Sequence, residues 1–260
     1  GFFVKQWAGK LGIPITIEKL ALKKIDSKIK GVQVFSEELL REKRLDFLIK
    51  TAKRTKADKV ALGHNLDDQA ETVLMRLLRG TGLCGLSGIS PKRIIKGVTF
   101  IRPLLETSRR EIKSFLRQKK AKGRIDPTNK QDLFFRNKLR HNLIPLLKRR
   151  YSQNIVELLA NLAESAAYDY EYLNQVAKDS FKISFGKLNL KKAKKLHPAI
   201  LRLKFRQSIA CLQGDTRRIS FKHIREIEEL LNHRPEGSIV DLPKRISVQK
   251  TRNFLQFYRR

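Results

Sequence analysis

The stretch that decides the fold is residues 60–88, VALGHNLDDQAETVLMRLLRGTGLCGLSG. Its apolar start, residues 60–62, is typical of a short strand and stops at Gly63 and His64. A run with helical spacing follows, and its apolar side chains share one face: Leu66, Ala70, Val73, Leu74, Leu77 and Leu78. A strand that ends at a polar helix N-terminus is the usual position of a site in an open α/β sheet. We therefore expect a site at this junction.

Acidic side chains at the start of this helix suggest chemistry. Acids in a first turn also interact favourably with the helix dipole, and with Asn65 as the N-cap this alternative explains Asp67 well. It explains Glu71 poorly, because Glu71 lies beyond the first free N–H groups. Asp68 and Glu71 are three residues apart and therefore neighbours. We interpret them as groups for Mg²⁺, an amine or a polarised water, with His64 at the strand end as a further candidate.

The glycines of residues 80–85 match G-x-G-x-x-G, but they do not predict a dinucleotide site. That fingerprint follows a strand and opens a helix. Here the glycines follow a helix, which predicts a C-cap and a flexible loop with a structural Cys84.

The elements before this segment predict an α/β fold with a parallel, Rossmann-like sheet. In order they are a helix over residues 2–11, a strand over 13–17 and a helix over about 36–54. Followed by the strand and helix of residues 60–78, this alternation predicts parallel strands covered by helices.

The segments that follow up to residue 150 extend this domain. Residues 93–95 and 98–101 flank Lys96 and Gly97 and predict a hairpin. Ser108 and Glu111 form a capping-box pattern before a helix over residues 112–119.

The rest of the chain predicts a mainly helical continuation. Residues 152–181 have one long amphipathic pattern, residues 220–231 have another, and short strands are predicted at 238–242 and 254–258. We therefore predict three parts: a catalytic domain over residues 1–150, a helical linker over 151–184 and a small C-terminal domain over 185–260.

The charge indicates a polyanionic partner. Fifty-seven Lys and Arg residues stand against 25 Asp and Glu residues, a net charge of +32. Nucleic acid is the first candidate, because it would offset the self-repulsion of such a chain. A merely solvated basic surface and an anionic membrane are the alternatives.

Apolar runs and cysteines indicate which classes of protein are not expected. No apolar run reaches the roughly 18 residues of a membrane helix, which predicts a soluble protein. Cys84 and Cys211 are far apart, so neither a disulfide framework nor a zinc site is expected, and a reducing compartment fits.

A second candidate site lies at residues 136–141. Arg136 and Arg140 are four residues apart on one helix face, and paired guanidinium groups suit phosphate. The alternative is a solvated basic face, but Asp126 and Asn129 lie just upstream, so we favour an anion site. The predicted substrate-binding residues are Arg44, Asp126, Asn129, Arg136, Asn137 and Arg140.

These motifs together resemble the tRNA(Ile)-lysidine synthetases, a family of N-type ATP pyrophosphatases. The resemblance rests on G-H-N-L-D-D-Q-A-E-T-V-L-M-R-L-L-R-G-T-G-L-C-G-L-S-G at 63–88, R-P-L-L at 102–105, D-P-T-N at 126–129 and R-N-K-L-R-H at 136–141. It is strong over residues 36–165 and looser towards both ends. The family usually has two histidines before the acidic pair, and here the second is Asn65.

The resemblance implies a reaction in two steps. ATP adenylates O2 of the wobble cytidine, position 34, of an isoleucine tRNA with a CAU anticodon and releases pyrophosphate. The ε-amine of free L-lysine then attacks C2 and expels AMP, which gives lysidine. The implied fold is the ATP-pyrophosphatase sheet followed by helical tRNA-recognition parts. ATP and Mg²⁺ are the implied cofactors.

The resemblance also implies roles for individual residues. Asp68 and Glu71 would handle lysine or the metal, and Arg44, Arg136 and Arg140 would hold phosphates or substrate. His64 joins the two acids as a catalytic residue, and Gly63 and His64 would contact ATP. We assign no residue as a dedicated metal ligand.

The family's first strand leads into an S-G-G-x-D-S loop that cradles pyrophosphate, and no such motif occurs in these residues. We interpret the chain as N-terminally incomplete, a fragment of a longer protein. A catalytically inactive tRNA-binding remnant is the first alternative. A tRNA-thiolating relative on the same fold is the second, although such proteins usually carry C-x-x-C cysteines. The expected location is the cytoplasm, or the plastid stroma for a plastid-encoded chain, and a homodimer is one oligomeric state left open.

Overall fold

The computed structural model describes residues 2–19, 28–29, 32–33, 37–121, 123, 135–181 and 186–260. The chain divides into two compact units, Gly1–Ala167 and Tyr168–Arg260. The division falls within one long helix, Ile155–Ser180, which corresponds to the predicted linker helix. The three-part division at residues 150 and 184 stays a prediction. Asp126 and Asn129 lie outside the described residues.

Helices make up most of the first unit. They are α1 (Phe2–Lys10), α2 (Glu37–Arg54), α3 (Leu66–Leu78), α4 (Leu83–Leu86), α5 (Arg109–Gln118), α6 (Phe135–Lys138), a π-helix (Leu139–Leu143), α7 (Ile144–Arg150) and the start of α8 (Ile155–Ser180). The predictions for α1, α2, α3 and α5 are confirmed to within a few residues. Ser108 caps α5, and its hydroxyl accepts from the backbone N–H of Glu111 as the capping box predicts.

The strands of the first unit form two small sheets. They are β1 (Lys28–Ile29), β2 (Val32–Gln33), β3 (Lys59–Ala61), β4 (Lys92–Ile95) and β5 (Val98–Ile101). β1 and β2 pair with each other, and the other three strands have the order β3-β5-β4. β3 and β5 are parallel, whereas β4 and β5 are antiparallel and form the predicted hairpin. The α/β class is confirmed, with a sheet that is mixed in its described part.

The predicted strand at residues 13–17 is wrong. In the structure this segment has no regular secondary structure and is exposed throughout. Its β-branched residues favour an extended chain, but a strand needs a neighbour to pair with. Residues 13–17 have no such neighbour in the described part of the chain.

Two apolar clusters hold the first unit together. Phe100 of β5 is fully buried, and α2 packs on it through Ile49 and Ala52. The second cluster joins α3 to the π-helix, α7 and the first half of α8. Its buried members are Ala70, Val73, Leu74, Leu139, Ile144, Val156, Leu159 and Ala163. The described helices include none long and apolar enough to cross a membrane.

The second unit packs helices on an antiparallel sheet. Its elements are the end of α8, β6 (Lys187–Asn189), α9 (Leu190–Lys194), α10 (Pro198–Gln213), α11 (Phe221–Asn232), β7 (Ile239–Leu242), β8 (Ile246–Lys250) and β9 (Phe254–Arg259). The sheet order is β6-β9-β8-β7. The two predicted strands are confirmed as β7 and β9. β6 and β8 were not predicted: β6 is too short for a sequence signal, and β8 follows the irregular turn at Pro243–Arg245.

Truncating the buried ring of Phe100 tests the packing of α2 on the sheet. Phe100→Ala should lower the free energy of unfolding by about 3–5 kcal/mol, because it removes apolar surface and leaves a cavity. A urea unfolding curve followed by circular dichroism measures the change.

The matched control is Ile94→Ala on β4 of the same sheet, where the side chain is 67% exposed. It should change the free energy of unfolding by no more than about 0.5 kcal/mol. Equal losses in the two variants would contradict the placement of the core.

Candidate active site

The site lies at the carboxyl ends of the two parallel strands. β3 ends at Ala61, and the backbone N–H of Leu62 donates to the carbonyl of Ile101 at the end of β5, 2.9 Å away. His64 and Arg102, which follow these two strands, are therefore brought to the same sheet edge. This is the edge where ligands bind in open α/β sheets.

A reciprocal cap fixes the start of α3. The N–H of Asp68 donates to Oδ1 of Asn65 at 3.0 Å, and the N–H of Asn65 donates to Oδ2 of Asp68 at 3.1 Å. Asn65 is confirmed as the N-cap. Oδ2 of Asp67 accepts from the backbone N–H of Arg109 at 2.8 Å, which fastens the start of α5 to the start of α3. Asp67, which the sequence analysis explained by its place in the first turn of the helix, therefore has a structural partner.

Asp68, Glu71, Arg136 and Arg140 form one carboxylate–guanidinium cluster. Nε of Arg136 lies 2.7 Å from Oε2 of Glu71, and its Nη2 lies 3.1 Å from Oδ1 of Asp68. Nε of Arg140 lies 2.5 Å from Oε1 of Glu71, and its Nη2 lies 2.8 Å from Oε2 of Glu71 and 3.3 Å from Oδ1 of Asp68. The two regions that the sequence marked separately are thus one site.

Burial differs among the members of the cluster. The side chain of Glu71 is 2% exposed, that of Asp68 is 16% exposed, and those of Arg140 and Arg136 are 18% and 24% exposed. Burial acts to lower the pKa of Arg140, but the hydrogen bond and charge of Glu71, with the charge of Asp68, outweigh it and raise that pKa. All four carboxylate oxygens of Glu71 and Asp68 accept hydrogen bonds, so the two acids differ in exposure and not in pairing.

A π-helix carries Arg140. The N–H of Ile144 donates to the carbonyl of Leu139, five residues back, and Pro145 in the next turn has no N–H to continue an α-helical ladder. Wide turns of this kind are frequent at functional sites. Leu139 is buried in the apolar cluster that contains α3, so one turn carries both a core side chain and the charged side chain of Arg140.

The glycine-rich segment after α3 is held by two side chains of that helix. Nη1 of Arg76 donates to the carbonyls of Gly85 and Gly88 at 2.9 and 2.7 Å. Oε1 of Gln69 accepts from the N–H of Ile89 at 2.6 Å. Gly88 has φ +60°, and an added Cβ would lie 2.6 Å from Oε1 of Gln69, so this position requires glycine.

The glycines follow a helix, as predicted, and Gly80 has the positive φ of +75° expected beyond a helix end. The prediction of a flexible loop is wrong over Leu83–Leu86, which form α4. The hydrogen bonds from Arg76 stabilise the end of that helix. They join residues nine and twelve positions apart, so no local sequence pattern predicts them. Cys84 is exposed and free, as is Cys211.

Two buried polar atoms at the sheet edge have no partner among the described residues. They are Nδ1 of His64 and Nε of Arg102. Buried polar groups are almost always hydrogen-bonded, so two buried nitrogens without a partner at one sheet edge indicate a position for a ligand. Nη1 of Arg102 donates to the carbonyl of Ser90 at 2.5 Å, which fixes the guanidinium there.

Positive charge surrounds this edge. Burial lowers the pKa of Arg102, and the nearby charges of Arg93 and Arg41 lower it further. Burial also lowers the pKa of His64; Asp68 acts to raise it, while Arg102, Arg136 and Arg41 lower it. The guanidinium charges around this edge suit a polyanionic ligand.

Sequence reasoning missed Arg102 as a site residue and did not predict the nearby charges of Arg93 and Arg41. Arg102 follows the end of β5 as His64 follows the end of β3, so its position at a strand end was a signal that could have identified it. Arg44, which was predicted to bind substrate, is exposed on α2 and forms no ion pair with the described part of the cluster. Asn137 is buried beside the cluster residues, and Gly63 is exposed at the strand end. The described residues include no group of three or more His, Cys, Asp or Glu that could hold a metal ion.

Neutralising Glu71 should destabilise the first unit. Glu71→Gln leaves two partly buried guanidinium groups with only Asp68, so the free energy of unfolding should fall on the order of 3 kcal/mol. Urea unfolding measures the loss. Asp46→Asn is the control, because the Asp46–Lys96 pair is 50% and 67% exposed and should contribute less than about 1 kcal/mol. A loss for Glu71→Gln no greater than for this control would contradict the cluster.

The charges around His64 predict how its pKa responds to substitution. Because the folded-state pKa lies below the ordinary value of 6.5, His64 contributes stability above pH 6.5 that is lost as the pH falls through the folded-state pKa. Asp68→Asn should lower this pKa further, and Arg102→Gln should raise it. A histidine NMR titration measures both, and shifts of the opposite sign would refute the proposed arrangement.

Curated proteins are similar in sequence to this chain over much of its length. A tRNA(Ile)-lysidine synthase from Clostridioides difficile (strain 630) is 34% identical over 224 residues, covering 84% of this chain and 48% of that protein. One from Caldanaerobacter subterraneus subsp. tengcongensis is 36% identical over 211 residues, covering 79% of this chain and 44% of that protein. The chain thus spans about half the length of these curated relatives.

One solved structure has a weaker likeness. It is the U34-tRNA thiolase NcsA from Methanococcus maripaludis, with a TM-score of 0.46 and 22% identity, covering 62% of this chain and 55% of that one.

The chain also matches a protein-domain family. The family of the PP-loop domain matches residues 2–147, which include α3, the sheet and both arginines of the cluster. Because this match covers more than half of the 260 residues, the chain belongs to the PP-loop domain family.

Proposed function

We propose that this protein takes part in converting the wobble cytidine, position 34, of an isoleucine tRNA to lysidine with ATP and L-lysine. The observation that carries the proposal is the carboxylate–guanidinium cluster, placed beside the unpaired atoms of His64 and Arg102 in a PP-loop domain. The curated relatives are tRNA(Ile)-lysidine synthases. The net charge of +32 fits an RNA substrate.

The sheet edge supplies groups that fit ATP. In the first step O2 of the cytidine attacks the α-phosphorus, and pyrophosphate leaves. Negative charge develops on phosphate oxygens, and preorganised cations stabilise such charge. Nε of Arg102 has no partner among the described residues and would donate to a phosphate oxygen, and Nδ1 of His64 offers one further nitrogen. Mg²⁺ would add charge neutralisation at the phosphates, and we assign it no ligand from this chain.

Burial separates the roles of the two carboxylates in the cluster. Glu71, with both oxygens bonded, positions the guanidinium groups of Arg136 and Arg140 rather than meeting a substrate. Both oxygens of Asp68 are also bonded, Oδ1 to the two arginines and Oδ2 to the N–H of Asn65, but its side chain is 16% exposed against 2% for Glu71, so Asp68 is the carboxylate that a lysine ammonium group would reach. In the second step the deprotonated ε-amine of lysine attacks C2, the C2–O2 bond breaks, and AMP leaves with O2.

Substitution of Asp68 tests this assignment. In the full-length protein, Asp68→Asn should reduce lysine incorporation into tRNA(Ile) on the order of 100-fold, because it removes a preorganised charge from the reacting groups. ATP–pyrophosphate exchange should fall less, since the cations that face phosphate remain.

Asp46→Asn, which breaks the exposed pair with Lys96, should leave both rates unchanged. Unchanged lysine incorporation in Asp68→Asn would overturn the residue assignment. No incorporation of lysine by the unsubstituted protein would overturn the function. Homodimer formation and the cellular location stay predictions.

A further inference from the structure

Helix α5, Arg109–Gln118, carries an unbalanced basic stripe. The stripe consists of Arg109, Arg110, Lys113 and Arg117. At about 100° per residue these side chains fall within roughly one quarter of the helix circumference. Arg110, Lys113 and Arg117 are exposed, whereas Ile112 and Leu116 on the adjacent rows are partly buried.

No carboxylate in the described residues forms an ion pair with the exposed members of the stripe. Glu111, the only acid of α5, is turned back onto the cap: its Oε2 accepts from the N–H of Ser108 at 2.8 Å and from the Ser108 hydroxyl at 2.6 Å. By contrast, α2 interleaves its lysines and arginines with Glu42 and Asp46. The basic stripe is thus a local feature, beyond what the overall composition requires.

The spacing of the stripe opposes helix formation. Arg109 and Lys113, and Lys113 and Arg117, are like-charged neighbours four residues apart, and such pairs destabilise a helix. A bound polyanion would relieve that repulsion. The stripe spans about 12 Å from Arg109 to Arg117, at about 1.5 Å per residue.

The start of α5 is attached to the candidate active site. The backbone N–H of Arg109 donates to Asp67, and the N–H of Leu66 donates to the carbonyl of Thr107 at 3.0 Å. Asp68, the next residue of α3, belongs to the cluster. A polyanionic chain bound along the stripe would therefore have one end close to the cluster that contains Asp68.

We propose that the basic stripe of α5 is an RNA-docking surface that holds the phosphate backbone next to the nucleotide being modified. The inference rests on the proposed function, since it assigns the RNA of that reaction to one helix. Phosphate contacts of this kind fix position and carry no sequence information themselves.

The test is a triple variant, Arg110→Gln with Lys113→Gln and Arg117→Gln, in the full-length protein. Its affinity for an unmodified tRNA(Ile) transcript with a CAU anticodon should fall about tenfold or more at moderate salt. The slope of log affinity against log salt should decrease by about 3, about one for each phosphate that is no longer neutralised. The melting temperature should stay equal or rise, because like-charge repulsion is removed.

Two matched variants sharpen the result. Lys50→Gln, Lys53→Gln and Lys59→Gln remove the same charge from exposed positions elsewhere in the first unit, and the salt slope should then be unchanged. Arg110→Lys with Arg117→Lys keeps the charge and should keep most of the affinity. Equal losses in the α5 and control triples, or none in either, would overturn the docking surface.

A separate readout distinguishes this inference from the proposed function. Lysine incorporation by the unsubstituted protein reports on the function alone. If lysine is incorporated but the α5 triple binds and reacts normally, the inference fails and the function stands. If RNA binding depends on α5 but no lysine is incorporated, the function fails and the docking surface stands.

Discussion

Glu71 is a buried carboxylate that accepts hydrogen bonds from two arginines, and the first unit is arranged so that this carboxylate stays paired. A charge of this kind without partners would cost several kcal/mol in a protein interior. The pairing therefore requires α6 and the π-helix to dock against α3. Leu139, between the two arginines in sequence, is 2% exposed and packs against the same helix. Apolar packing and ion pairing thus select one placement, and that placement assembles the site.

The sheet edge supplies the other half of the site. Parallel pairing of β3 with β5 brings the residues after both strands together, and these are His64 and Arg102. Each has a buried nitrogen without a partner in the described part of the chain. The cluster and the sheet edge differ in this respect: the charges of the cluster are paired with one another, whereas the two nitrogens at the edge have no partner among the described residues. The proposed adenylation step would use the nitrogens at this edge to hold phosphate oxygens.

Sequence patterns predicted the parts of this site but not their pairing. Helical periodicity and caps identified α3 and α5, because these signals are local. Asp68 and Glu71 were predicted to serve an amine or metal, and Arg136 and Arg140 to serve an anion, as two separate groups. Their ion pairs join residues 65 or more positions apart, as Glu71 and Arg136 are, and no local pattern reports such a contact. The π-helix was not predicted, and the missed strand β8 depends on neighbours in its sheet.

The central claim is that Glu71 and the arginines act as one unit, and a double-mutant cycle tests it most directly. The free energy of unfolding would be measured for Glu71→Gln, Arg140→Gln and the double variant. If Glu71 exists to pair and position Arg140, the losses should be strongly non-additive, with a coupling energy on the order of 1–3 kcal/mol. Losses that add within about 0.5 kcal/mol would show that the two residues contribute independently and would contradict this account.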